Sequence, residues 1–243
     1  MHQRSNPWYQ RDGGARLAQD QASISEMFPG LSYRVDETAG RVFLDGLLTL
    51  VAECGVPTSI VVRVEFPSDY PQGEPHIFEV AGRFPHVSDR HFFADGQCCL
   101  WLPTESRWEP DDPEGLCRFL EEVAVFFDQQ LVYEADGRNE WPGEQRSHGE
   151  EGYLEYIEDE LGGDRHLLAV FAPILLGLQK GRVQSNDPCP CGSRRKYKRC
   201  HKPRVEKLER RMGSENIQAI VERWYKPNAL TKMRHVLPQI TPQ

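Results

Sequence analysis

Two short stretches carry residues whose types and spacing could do chemistry. The first, Asp95–Trp101 (DGQCCLW), sets Cys98 and Cys99 side by side after Gly96. A thiol there is either a nucleophile or a small apolar filler. In a partly extended chain adjacent side chains point opposite ways, so one sulfur can face a cleft while the other packs inward. The second stretch, NDPCPCGSRRKYKRCH over 186–201, gives Cys189-x-Cys191, eight intervening residues, then Cys200-His201. Four soft or borderline ligands this close in sequence can converge on one tetrahedral zinc at about 2.0–2.3 Å, with Gly192 allowing the tight return. Four protein ligands leave no open coordination position, so one such zinc per chain is expected to be structural and to shape a surface.

These residues need elements to hold them. The stretch 15–27 has the pattern of a short amphipathic helix. Residues 31–37 and 41–51 are β-rich and joined by Thr38-Ala39-Gly40, and 59–66 alternates Ile60, Val62, Val64 and Phe66 against Val61, Arg63 and Glu65. That alternation is the mark of a half-buried strand, and the three segments predict an antiparallel meander. From Phe66 to Pro113 only 76–82 reads as a strand; the rest is dense in Pro, Gly, Asp and aromatics, and a long ordered loop of this kind tends to carry function. Asp112-Pro113 is a helix-start signal, and Leu116, Phe119, Leu120, Val123, Phe126, Phe127 and Leu131 follow at helical spacing. A linker-like stretch leads to an acidic helix over 150–161 closed by Gly162-Gly163, an apolar helix over 164–180, and a last helix from Ser214 with Ile217, Ile220, Val221 and Trp224 on one face. Cys54 and Cys117 are expected as core thiols.

Charge divides the chain. Residues 1–163 hold 12 Lys and Arg against 31 Asp and Glu, a net of −19; residues 164–243 hold 17 against 6, a net of +11, which together give the formal −8. All seven lysines lie beyond residue 163. An arginine-rich genome explains this; suppression of self-modification near a reactive thiol is the sharper explanation. The N-terminal MHQRSNPWYQRDGG lacks an apolar core and the longest apolar run, 167–178, is too short to span a bilayer. With an odd number of cysteines, seven, a soluble protein of the reducing cytoplasm is expected.

The cysteine–histidine stretch resembles the SEC-C zinc motif appended to many bacterial proteins, through CPCGS, the Lys-Tyr-Lys spacing and the closing Cys-His, so Cys189, Cys191, Cys200 and His201 are the expected ligands. Earlier, Phe66-Pro67, Tyr70-Pro71, Pro75, Phe84-Pro85-His86, Gly96, Cys99-Leu100 and Trp108-x-Pro110 are similar, in order, to the core of the ubiquitin-conjugating (UBC) fold, over about residues 15–135. The resemblance implies an α+β, UBC-like domain over 1–163, with an N-terminal helix, an antiparallel β-meander, an active-site loop and packed helices. A helical tail over 164–243 would then carry the SEC-C motif at 186–202. EWPGEQRSHGEEGYLEY is similar to a segment that follows the catalytic region in prokaryotic members of the family, including those near ubiquitin-like proteins in antiphage operons.

The resemblance also assigns roles. Cys99 holds the position of the thioester-forming nucleophile, with Cys98 in the neighbouring apolar slot. Where the family keeps an Asn that serves the oxyanion, this chain has His86, which could donate to the oxyanion, accept a proton from the attacking amine, or hold the loop by bonding to backbone. His148 is a second candidate, and Asp111 and Asp112 stand where acidic groups sit beside the entering lysine. His76 and His91 read as strand and loop surface. The implied activity is a bacterial ubiquitin-conjugating-like transferase, with a ubiquitin-like protein, its activating enzyme and a protein target as partners. The alternative is an inactive UBC-like adaptor whose zinc tail docks to a protein or ribosomal partner. Arg194, Arg195, Lys196, Lys198 and Arg199 would serve such docking; without an aromatic stacking array, protein ranks above nucleic acid as their partner.

Overall fold

The computed structural model describes residues 6–51, 57–137, 141–143, 146–178 and 183–236. It is an α+β chain of two compact units, Met1–Gln145 and Arg146–Gln243. The first holds helix α1 (Ala15–Met27), strands β1 (Leu31–Asp36), β2 (Arg41–Val51), β3 (Pro57–Glu65) and β4 (His76–Glu79), and helix α2 (Gly115–Ala135). The strands form one antiparallel sheet in sequential order, β1-β2-β3-β4.

The alternation in β3 decides which face is covered. Ile60, Val62 and Val64 pair with Leu48, Gly46 and Leu44 and are buried, while Val61, paired with Leu47, lies on the open face. Gly46 is required by close approach: a Cβ there would stand 2.1 Å from the oxygen of Gly30. Leu116, Phe119, Leu120, Val123, Phe126 and Phe127 of α2 join the same core, each apolar side chain contributing about 1.5–3 kcal/mol. Cys117 is buried among them as expected; Cys54 lies outside the described residues. Helix α2 starts at Gly115, two residues later than the Asp112-Pro113 signal suggested. Asp112 instead closes the preceding turn, its Oδ1 accepting from the Glu114 amide at 3.0 Å.

A buried polar knot ties α1 to the loops. Asp20 accepts from the Tyr70 hydroxyl at 2.7 Å and pairs with Arg16 at 3.0 Å. Arg16 also donates to the Tyr70 oxygen at 3.0 Å and to the main-chain oxygen of Asp112 at 3.3 Å. The Trp108 indole N–H donates to the oxygen of Pro71 at 2.8 Å, completing a wall of Trp8, Phe66, Tyr70 and Trp108.

The second unit holds α3 (Glu150–Leu161), α4 (Arg165–Leu175), α5 (Lys202–Met212) and α6 (Ser214–Val236). The division falls at 145/146, ahead of the expected 163/164, because α3 packs on α4, α5 and α6 and buries Leu154, Tyr156, Ile157 and Leu161. Helix α4 is capped by Asp164, whose carboxylate accepts from the His166 amide at 2.7 Å, and it ends at Leu175, short of the expected 180. Among the described residues no helix is long and apolar enough to cross a membrane.

Candidate active site and metal centre

Residues 97–99 run as a short extended segment between β4 and residues 91–93. On one side Phe78 bridges Gln97, the Glu79 amide donates to the Gly96 oxygen at 3.0 Å, and the Cys98 amide donates to the Ile77 oxygen at 2.8 Å. On the other, Phe92 bridges Cys98, the Phe93 amide donates to the Gln97 oxygen at 2.8 Å, and the Cys99 amide donates to the His91 oxygen at 2.8 Å. Side chains therefore alternate across this segment. Cys98 turns inward and is 5% exposed, while Cys99 is only half-buried. Burial pushes both thiols up, Cys98 well above its ordinary value and further raised by the nearby Glu79 carboxylate. The pair thus splits into a core sulfur and an accessible one.

The register places other groups on the Cys99 face. Phe78 opposes Gln97 in an isolated bridge, and the same register carried one residue past the bond from Cys98 to Ile77 sets His76 against Cys99. Side-chain contacts agree: Gln97 Nε2 stands 3.2 Å from His76 Nδ1, and the Glu74 carboxylate accepts from Trp101 and Ser106. Burial raises the Glu74 acid above the ordinary range, with those hydrogen bonds and His76 opposing the rise. His76 was read from the sequence as strand surface, and it is exposed in β4; Glu74 and Gln97 did not stand out. The available signal was period-2 spacing on both segments, but the register that joins them was not readable.

His86 lies where its ring is committed. Its Nε2 meets Glu79 Oε2 at 3.0 Å, and that fully buried carboxylate also accepts from the amides of Ala81 at 2.8 Å and Arg83 at 3.1 Å. Gly96, at φ +90°, has no room for a side chain: a Cβ would stand 2.7 Å from both the Glu79 oxygen and His86 Cε1. The bond that fixes His86 is therefore to a side-chain carboxylate, and of the three roles open to it in the sequence the loop-holding one is met by Glu79 in place of backbone. Arg90, also buried, donates to Gln130 Oε1 at 2.7 Å, and Gln130 Nε2 returns a bond to the Arg90 oxygen at 2.7 Å, strapping the 88–91 turn to α2.

Asp112 and Asp111 part company. Asp112 pairs with Arg118 and lines a cleft of about 290 Å³ with Trp101, Trp108, Phe119 and Glu122, whereas Asp111 is exposed on the turn before it. His148 is exposed in the turn before α3 and belongs to the second unit.

The cysteine–histidine group is built on two tight returns and a helix start. The Gly192 amide donates to the Cys189 oxygen at 3.1 Å with Gly192 at φ +77°, the Cys189 amide donates to the Arg195 oxygen at 2.8 Å, and His201 caps α5. The four ligand atoms of Cys189, Cys191, Cys200 and His201 all lie within 4.8 Å of one another. Cys191 and Cys200 sulfurs are 3.7 Å apart, and His201 Nδ1 is 3.3 Å from Cys189 Sγ and 3.2 Å from Cys200 Sγ. Tetrahedral bonds of about 2.0–2.3 Å imply ligand separations of about 3.3–3.8 Å, so the donor set fits a small divalent ion. His201 Nε2 meets the Leu161 oxygen at 2.8 Å, which leaves Nδ1 as the ligand atom, and Phe171 packs on the ring at 4.7 Å. Arg194, Arg195, Lys196, Lys198 and Arg199 are all exposed around this group.

Comparison with known proteins agrees with this centre. The family model of the SEC-C motif matches residues 186–203, the stretch that carries all four ligands. Among solved structures, a complex of the Vps23 UEV with ubiquitin is 20% identical at a TM-score of 0.34, covering 46% of this chain and 81% of that one. The yeast Vps23 UEV domain in complex with a Vps27 PSDP peptide is 18% identical at a TM-score of 0.38, covering 56% of this chain and 86% of that one. At those scores the likeness is too slight to assign the fold of the first unit; the chain is similar to the SEC-C motif in its tail.

Proposed function

We propose that the first unit is a UBC-like acyl carrier in which Cys99 takes a ubiquitin-like protein from an activating enzyme as a thioester and passes it to a target amine. The observation that carries this reading is the split between the two adjacent sulfurs. Cys98 is sealed in the core while Cys99 is half-buried on a segment held by main-chain bonds from both sides. Such a site does not need a strongly acidic thiol, because the incoming acyl group is already activated. The second unit we read as a zinc-stabilised docking tail, its ion held by Cys189, Cys191, Cys200 and His201 and its exposed basic residues facing an acidic protein partner. The zinc would supply fold stabilisation alone.

One observation favours the inactive-adaptor reading: His86, the residue nearest in sequence to the family's oxyanion Asn, spends its Nε2 on buried Glu79. Incubation with candidate modifier, activating enzyme and ATP separates the two. An acyl carrier gives an adduct that reductant removes, that Cys99→Ala loses and that Cys99→Ser converts to a reductant-stable ester. No adduct with any modifier from its own organism, or one that persists in Cys99→Ala, leaves the adaptor.

A further inference from the structure

With the His86 Nε2 committed to Glu79, the acyl-transfer reading needs another group to meet the charge that develops on the carbonyl oxygen. His76 stands in the right place for it. The bridge between Phe78 and Gln97 and the bonds joining Glu79 to Gly96 and Cys98 to Ile77 set the register, and that register, carried one residue past Cys98, sets exposed His76 opposite half-buried Cys99. Directly opposed residues of antiparallel segments have Cβ atoms about 4.5–5.5 Å apart, within reach of an imidazole. Gln97, two residues before Cys99, brings its Nε2 to His76 Nδ1 at 3.2 Å. A donor on Nδ1 leaves the ring hydrogen on Nε2. Glu74, two residues before His76, is anchored by Trp101 and Ser106 and lies near enough for charge on the imidazole to act on it.

Resting on the reading of Cys99 as the acyl carrier, we infer that His76, oriented by Gln97, donates its Nε2 hydrogen to the oxyanion formed when the Cys99 sulfur adds to an acyl carbonyl. In that step the sulfur forms the new S–C bond and the carbonyl π pair moves to oxygen, where the hydrogen bond meets it. Collapse restores the carbonyl and expels the donor's thiolate, which takes up the proton lost by Cys99. Later attack by a target amine passes through a second oxyanion at the same place. His76 thus does what a backbone or Asn donor does in other acyl-transfer sites.

The test needs no modifier, so its failure is separable from failure of the acyl-carrier reading. Two small probes are applied to the full chain and read at the Cys99 peptide by mass spectrometry. p-Nitrophenyl acetate acylates through an oxyanion; iodoacetamide alkylates by displacement and forms none. His76→Phe is expected to slow acylation about tenfold or more while alkylation changes less than about twofold, because an oxyanion donor acts only on the first reaction. His76→Gln, which keeps a donor, should recover part of the acylation rate, and Gln97→Leu should lose part of it. If both reactions fall together, His76 acts on the thiol itself; if neither changes, it is surface. Either result overturns the inference. His76 is exposed, so unchanged circular dichroism of the variants is expected, and Gln97→Leu supplies an independent arm should one variant misfold.

Discussion

The His201 ring joins the metal-ligand cluster through Nδ1 and the C-terminal turn of α3 through Nε2, which meets the Leu161 oxygen at 2.8 Å. The centre is therefore coupled to a helix 40 residues earlier in the chain. Ligand thiols must lose their protons to bind a cation, and burial pushes the Cys189 thiol up, so protons compete with the metal and affinity falls as pH falls.

One divalent ion per chain is expected by metal analysis of protein purified without chelator. Chelation should raise hydrogen exchange over 186–212 and also over 158–163, the end of α3 that His201 holds. His201→Ala should weaken metal affinity by more than about a hundredfold, beyond what loss of an outer partner costs. Unchanged stoichiometry in His201→Ala, or exchange confined to the motif, contradicts the coupling.

The polar knot under α1 makes a separate expectation about pH. Burial raises the Asp20 carboxyl above its ordinary value, with Tyr70 and Arg16 opposing the rise without cancelling it. The folded state then holds this proton more tightly than the unfolded chain. The contribution of Asp20 is greatest at low pH and declines as pH rises from the unfolded value, about 4, through the raised folded one. Asp20→Asn removes that step, so wild type should lose ground to the variant as pH rises across this window in urea titrations. Tyr70→Phe should cost about 1–3 kcal/mol, since it leaves Asp20 and Arg16 each short of the hydroxyl. A wild-type advantage that does not change with pH would show that Asp20 titrates alike in both states.

What the sequence disclosed follows from how local each signal is. The alternation from Ile60 to Val64 and the helical repeat from Leu116 to Phe127 are written in consecutive residues, and both elements form as read. The four metal ligands were legible for the same reason, since a short span must fold back on itself to use them. Helix α5 escaped notice because its surface is nearly all charged; only Val205, Leu208 and Met212 mark its buried stripe. His76 was invisible as a neighbour of Cys99 because 23 residues separate them and only the pairing of a four-residue strand with a loop brings them together. His86 was legible as a residue of interest and not in what it touches, since nothing local tied it to Glu79.

Gly96 is the position where the fold beside Cys99 is least tolerant. It adopts φ +90°, and any Cβ would press on the Glu79 oxygen and on the His86 ring, both at 2.7 Å. The ring can yield, but only by leaving the Glu79 carboxylate with one donor fewer in a buried site. Gly96→Ala is therefore expected to destabilise the first unit by about 1–3 kcal/mol, from the left-handed backbone and the lost bond together. Because the Glu79 amide to Gly96 oxygen bond is one of those holding the 97–99 segment, the same variant should let iodoacetamide reach Cys98, which in the wild type is sealed and slow. Peptide-resolved alkylation and thermal unfolding check both halves. A variant as stable as wild type, with Cys98 still protected, would mean that the segment can shift as a body without opening, and that His86 does not brace it.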